Sequence, residues 1–223
     1  MLYLYHSNAS QNTLTLKDDD HKYIFRVRRH RVGEIIALRN LEDSLIYKYK
    51  IVYMDKKSTQ LELKESYTLE IKAFKQLHIG WCVIEPKNIE KALTSLNEIG
   101  VSKITFIYCS RSQKSFKLDF KRLNKILLNS SQQSGRSEMM ELDTISSLDE
   151  FISLYPQTKM LNFSTNKISD NKNNIDTIVV GCEGGFSSDE VEKFNPKDIV
   201  SFDTNMVLKS ESAIVALSSL VLM

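Results

Sequence analysis

An α/β fold with a parallel sheet, preceded by a small β-rich domain, is what this 223-residue chain predicts, and two observations carry it. Residues 1 to about 70 are mostly short β-branched and aromatic runs separated by Asn, Asp, Ser and Lys clusters. From about residue 71 onward such runs alternate with helical stretches, the pattern of strands joined by helical crossovers. With 42% hydrophobic residues, the chain can bury one substantial core, or a small and a medium one.

In the first stretch, strands are expected at Tyr3 to His6, Thr13 to Leu16, Glu34 to Leu38, Leu45 to Tyr53 and Gln60 to Leu63, a set that suggests a small barrel. One helix interrupts them, opened by Asp18 to Asp20 and running through Tyr23, Ile24 and Val27 until Gly33 stops it. It carries Lys22, Arg26, Arg28, Arg29 and Arg31 with no interleaved acid, which reads as a patch for nucleic-acid phosphates or as a solvated helix face.

In the second stretch, strands are expected at Gln76 to Ile84, Lys103 to Tyr108, Lys159 to Phe163, Thr177 to Val180 and Asp198 to Phe202. An amphipathic helix covers Ile89 to Ile99, with Ile89, Leu93, Leu96 and Ile99 on one face and Gly100 at its end. Further helices span Asp119 to about Gln133 and Leu148 to Tyr155, and Ser169 to Asn174 reads as a polar loop. A last helix runs from about Ser210 to the end, so apolar that its neighbours or a second subunit must cover it.

The segment after the Thr177 to Val180 run is Gly181-Cys182-Glu183-Gly184-Gly185-Phe186-Ser187-Ser188-Asp189-Glu190. Its glycines stand where a strand turns into a loop and backbone can approach a ligand, and Ser187 or Ser188 with Glu190 signals a new helix start. It lacks the Gly-Lys-Ser/Thr ending of a phosphate loop and the spacing of a dinucleotide fingerprint.

Formal net charge is +2 and the isoelectric point is near 8.3, too mild to announce nucleic-acid binding from the total alone. Cys82, Cys109 and Cys182 are odd in number and widely spaced, so they read as reduced thiols of a cytosolic protein with no structural zinc. Met1 to His6 lack the basic start and apolar stretch of a secretory signal, and the apolar run from Ala213 to Met223 is too short to cross a bilayer.

Several segments, taken in order, resemble one family. Val180 to Glu190 is similar to the motif V/I-G-P-E-G-G-F/L-S-x-x-E of the RsmE family, bacterial methyltransferases that modify a uridine in 16S ribosomal RNA. Met206-Val207-Leu208-Lys209-Ser210-Glu211-Ser212-Ala213 resembles the family's following I/V-L-R-T-E-T-A. Upstream, Ser131 to Arg136 resembles E-Q-C/S-G-R, Asn97 to Val101 resembles T-E-L-G-V, Ser110 to Ser112 resembles an S-E-R stretch, and Arg26 to Arg29 with Gly33 resembles R-V-L-R-x-x-x-G.

The resemblance implies a PUA-like β-barrel over residues 1–70 that binds RNA, and over 71–223 a SPOUT α/β domain whose last part is threaded as a trefoil knot. It further implies a homodimer with the C-terminal helix near the interface, S-adenosylmethionine (SAM) as methyl donor without a metal, and uracil N3 of 16S RNA or the small subunit as target. Gly181, Glu183, Gly184, Gly185, Met206, Leu208 and Ser210 would hold the cofactor, with Leu161, Asn162 and Phe163 as the remaining wall. Lys209 or Arg136 would stabilise the uracil anion and Glu211 would orient one of them or accept a proton, while Arg111 joins the five cations of the first domain in contacting RNA. Cys182, Lys209 and Thr204 stand where the family has proline, arginine and glycine. These departures motivate a second reading, a catalytically silent RNA-binding protein that helps ribosome assembly; a third is a knotted methyltransferase acting on a ribose hydroxyl.

Overall fold

The computed structural model describes residues 2–223; Met1, the first residue of the segment read for a leader, lies outside them. The chain divides into two compact units, one comprising residues up to Lys72 together with Ser131–Glu138, the other Ala73–Ser130 with Met139–Met223.

In the first unit, β1 (Leu4–Tyr5), β2 (Thr13–Leu16), β3 (Ile35–Arg39), β4 (Leu45–Met54) and β5 (Thr59–Thr68) form one sheet in the order β1-β3-β4-β5-β2. β1 runs parallel to β3, and the remaining pairs are antiparallel. Register shifts at Lys48/Tyr49 and Ile51/Tyr53 add twist to the long β4-β5 ribbon. The sheet closes over a core that includes Leu16, Ile24, Leu38, Tyr49, Ile51 and Leu61.

The helix of this unit is shorter than its sequence predicts. α1 (Asp18–Lys22) passes into a π-helical stretch, Tyr23–Val27, and stops there. The Arg28 amide bonds the Tyr23 carbonyl and Arg29 turns left-handed at φ 57°, which ends the helical run six residues before the point expected. Gly33, at φ 94°, serves the turn into β3 instead, its amide donating to the Ile51 carbonyl at 2.7 Å. Of the five cations assigned to the helix, only Lys22 and Arg26 lie on it; Arg28, Arg29 and Arg31 lie on the connection to β3.

The second unit holds β6 (His78–Cys82), α2 (Pro86–Ile99), β7 (Lys103–Ile107), the start of α3 (Phe120–Ser134), β8 (Glu141–Ile145), α4 (Leu148–Leu154), β9 (Lys159–Leu161), α5 (Ile168–Asn171), β10 (Thr177–Val180), α6 (Ser188–Val191), β11 (Ile199–Val200) and α7 (Ser210–Leu222). Its six strands are all parallel, in the order β11-β9-β10-β6-β7-β8. The apolar run Ile178, Val179 and Val180 of β10 is buried, in a central strand paired with β6 on one side and β9 on the other. α2 begins with Pro86 in its first turn and ends on Gly100 at φ 110°, the left-handed cap its sequence announces. β8 was not expected: as an edge strand it exposes Glu141, Asp143 and Thr144 and so lacks an apolar run. The Ser169 to Asn174 loop is in fact α5 followed by a 3-10 turn, Lys172–Asn174, set on the buried Ile168.

The cysteine reading is also corrected. Cys82 closes β6 opposite Ile107 of β7, which brings Cys109 alongside, and the two are joined in a disulfide with Cα atoms 5.7 Å apart. Only Cys182 is a free thiol among the described residues. A separation of 27 residues along the chain says nothing about which strands lie side by side, so the pairing was invisible, and the compartment argument built on three reduced thiols loses its premise. Among the described residues, no helix is long and apolar enough to cross a membrane.

Candidate active site

β6, β7 and β8 advance to one edge of the parallel sheet, whereas β9, β10 and β11 fill the other side. The crevice at the carboxyl ends of the strands near such a reversal is where α/β sheets bind ligands. Here it holds a cavity of about 400 Å³ enclosed by three segments of the second unit.

The first wall follows β10. The Gly185 amide returns to the Cys182 carbonyl at 2.9 Å, forming a tight turn, and Gly185 has φ 67°, where a side chain is strained. A Cβ on Gly181 would lie 3.2 Å from the Gly185 Cα, a tight contact that glycine at 181 avoids. Beyond it, Ser187 and Glu190 form a capping box: the Ser187 amide donates to Glu190 Oε2 at 2.8 Å and the Glu190 amide to Ser187 Oγ at 3.3 Å. Glu190 Oε1 also accepts from the Ser110 amide at 2.9 Å. Burial pushes its carboxyl up, but the hydrogen bonds from Ser110 and Ser187 prevail and hold it below the ordinary glutamate value.

Leu161, Asn162 and Phe163, at the end of β9, form the second wall, held by the Asn162 amide on the Val200 carbonyl at 3.0 Å. The third runs from Ser201 after β11 to the start of α7 and includes Thr204, Met206, Val207, Leu208 and Lys209. Ser210 ties it to the first wall. Its hydroxyl donates to the Gly181 carbonyl at 2.5 Å and accepts from Trp81 Nε1 at 2.9 Å, deep in the core.

All ten residues expected at the cofactor, Leu161, Asn162, Phe163, Gly181, Glu183, Gly184, Gly185, Met206, Leu208 and Ser210, line this one cavity. Lys209 lines it too, exposed at the N-cap of α7. Glu211 lies in the first turn of α7 outside the lining, with Oε2 buried and without a hydrogen-bond partner. Arg136 is elsewhere: it belongs to the first unit, is buried with its guanidinium 3.9 Å from Glu138, and its carbonyl accepts from the Tyr3 hydroxyl. Lys22, Arg26, Arg28, Arg29 and Arg31 are all exposed, and Arg28 lies over the Tyr23 ring while its Nε donates to the Tyr23 hydroxyl at 2.8 Å. Arg111 is exposed as well, but its Nη1 donates to the Gly184 carbonyl at 2.6 Å, making it part of the rim.

Sequence reasoning missed Val180, Phe186, Phe202 and Ala213 as cavity walls. Ala213 carried a usable signal, since it falls three residues after Ser210 on the buried face of α7. The Ser110 and Arg111 contacts with the glycine loop span more than seventy residues and left none.

Comparison with known proteins places this geometry. Residues 72–222 match the model of an RNA methyltransferase domain, and residues 16–64 that of an RNA methyltransferase PUA domain. The chain is 36% identical over 223 residues, 99% of both chains, to ribosomal RNA small subunit methyltransferase E of Helicobacter pylori. The chain belongs to the ribosomal RNA small subunit methyltransferase E family. Its fold is shared with the family's Neisseria gonorrhoeae member solved with S-adenosyl methionine, at a TM-score of 0.81 and 17% identity over 98% of this chain and 95% of that one. A Legionella pneumophila methyltransferase in complex with SAM superposes at 0.80 with 23% identity, over 98% and 96% of the two chains. The α/β methyltransferase domain and the PUA domain read from the motifs are thus those of an RNA-acting methyltransferase family.

Proposed function

We propose that this protein transfers a methyl group from SAM to N3 of a uridine in 16S ribosomal RNA, acting in the cytoplasm as a homodimer. The observation that carries the reading is the convergence of both signature segments, after β10 and before α7, on one cavity through the Ser210 clasp. A cavity of about 400 Å³ is of the size that takes a drug-sized ligand. Its apolar walls and its side-chain-free Gly184 and Gly185 suit a ligand with an aromatic base.

When bound, SAM supplies an electrophilic methyl group. The protein's own task is to align the uracil and favour its N3-deprotonated form, whose charge spreads over O2 and O4. Lys209, exposed at the mouth of the cavity, is placed to stabilise that anion, and Glu211 two residues on to orient it. Lys209 ranks ahead of Arg136, whose guanidinium is buried beside Glu138. The exposed cations from Lys22 to Arg31 would seat RNA phosphates. The exposed apolar side chains Leu220, on α7, and Met223, just beyond it, support a dimer interface at the end of α7. β11 lying outside β9 while Ser210 returns to Gly181 supports a knotted passage between β11 and α7.

Deleting the gene and mapping 16S RNA by mass spectrometry tests the assignment. One methyluridine mark is expected to disappear, and an unchanged set of marks in cells that normally express the protein would overturn it. The silent-binder reading is favoured by Cys182, Thr204 and Lys209 all lining the cavity. Calorimetry showing no SAM binding would establish that reading instead.

A further inference from the structure

Cys109 to Phe116, after β7, is a built loop rather than a slack connection. The Cys82 disulfide fastens its start, the Ser110 amide is held by Glu190, and Arg111 is held by the Gly184 carbonyl. The Ser112 amide bonds the Cys109 carbonyl at 3.1 Å, and the Tyr108 hydroxyl donates to the Phe116 carbonyl at 3.0 Å. Two of these anchors are residues of the glycine-loop segment itself. The loop is thus fixed to the rim of the cavity, and Lys114 stands only three residues from Arg111, about 10 Å of chain at most.

From Ser110 to Lys125 the loop and the first turns of α3 carry six cations against the single acid Asp119, or +5 in a chain whose total is +2. Arg122 is neutralised by Glu90, its Nε 2.7 Å from Oε1. Lys114, Lys117, Lys121 and Lys125 are exposed and have no acidic partner among the described residues. Lys121 and Lys125 sit four residues apart on α3, a like-charge spacing that destabilises a helix by tenths of a kcal/mol, roughly 0.2–0.5. Folding therefore does not benefit from this arrangement, whereas a polyanion would.

We propose that this loop and the start of α3 form an RNA-phosphate platform at the rim of the cavity, which seats the strand flanking the target base. The inference rests on the RNA methyltransferase reading above and adds to it a surface on the methyltransferase unit, separate from the basic segment of the first unit. The platform positions without reading sequence, because phosphate contacts carry none.

The test uses the full-length protein and its variant K114Q/K117Q/K121Q/K125Q, with a short single-stranded ribosomal RNA fragment as probe. SAM binding by calorimetry, expected unchanged, reports that the variant is folded. RNA binding is expected to weaken about ten-fold at moderate salt, and the slope of log Kd against log salt to fall by about 2–3, since each single-strand phosphate contact contributes about 0.7. Methylation should show KM raised with kcat little altered, and the corresponding K→R variant should restore wild-type values. A neutral variant with the wild-type slope and KM overturns the platform alone, and is what an acidic protein as the true occupant would give. Wild-type protein that binds SAM but no RNA overturns the platform and the methyltransferase reading together.

Discussion

Ser210 is where two distant motifs become one site. Its hydroxyl completes the hydrogen bonding of two groups that the fold buries, the Trp81 indole N–H and the Gly181 carbonyl. Removing it in Ser210→Ala leaves both without a partner, and an orphaned buried polar group costs about 1–3 kcal/mol. The variant is expected to lose about 2 kcal/mol in urea unfolding and to bind SAM more weakly, while Ser210→Thr, which keeps the hydroxyl, should retain both. Wild-type stability in the alanine variant would show that the clasp is incidental. The serine was legible as a pocket residue from its motif, but not as a clasp, because nothing in the sequence says that Trp81, 129 residues away, points at it. Glu211 was legible in the same partial sense: its place in the first turn of α7 was read, its unpaired buried oxygen was not.

At the scale of elements, the contact between β6 and α4 shows how a strand makes room for a helix. Gly80 and His78 lie two residues apart on β6 and so face the same side. A Cβ on Gly80 would lie 2.8 Å from Phe151 Cζ, while the His78 ring packs edge-on to Tyr155 and against Phe151. His78 Nε2 lies 2.8 Å from Thr105 Oγ1. Burial, with the Lys103 charge adding to it and Asp143 opposing it, pulls the imidazole down from its ordinary 6.5 to about 4. In the unfolded chain His78 takes up a proton near pH 6.5, whereas the folded protein resists until about pH 4, so its contribution to stability is complete above 6.5 and is lost as pH falls toward 4. Urea midpoints at pH 7, 5.5 and 4.5 are expected to fall for the wild type and to fall less for His78→Gln. Parallel profiles would remove His78 as the source. Elements with their own signals, such as α2 between Pro86 and Gly100 or the buried β10, were readable in advance. β8 and the early end of α1 were not, since an exposed edge strand lacks an apolar run and the left-handed turn at Arg29 has no glycine to announce it.

For the whole molecule, the boundary near residue 70 drawn from the change of pattern meets a unit that is discontinuous in sequence, because Ser131–Glu138 belongs with the first seventy-two residues. The return segment is held there by specific bonds. The Leu2 amide donates to the Gln132 carbonyl and the Tyr5 amide to Gln132 Oε1, both at 2.8 Å, and the Tyr3 hydroxyl donates to the Arg136 carbonyl at 2.8 Å. Ser137 and Ile71 exchange bonds, among them the Ser137 amide to the Ile71 carbonyl at 3.0 Å and the Ile71 amide to Ser137 Oγ at 3.1 Å. Gly135, at φ 86°, admits the Leu2 and Ile71 side chains where a Cβ would stand 2.5 Å from Leu2 Cδ1. A motif that resembles a family signature, Ser131 to Arg136, is therefore also a structural strap. A net hydrogen bond contributes about 0.5–1.5 kcal/mol, so five of them amount to several kcal/mol, comparable with the whole stability of a small domain at about 5–15. A fragment of residues 1–72 is expected to lack cooperative unfolding by circular dichroism, and a fusion that joins residues 129–139 to it through a flexible linker should recover a transition. If the bare fragment unfolds cooperatively with the midpoint it has in the intact chain, the strap is dispensable and the boundary near residue 70 is a true folding boundary.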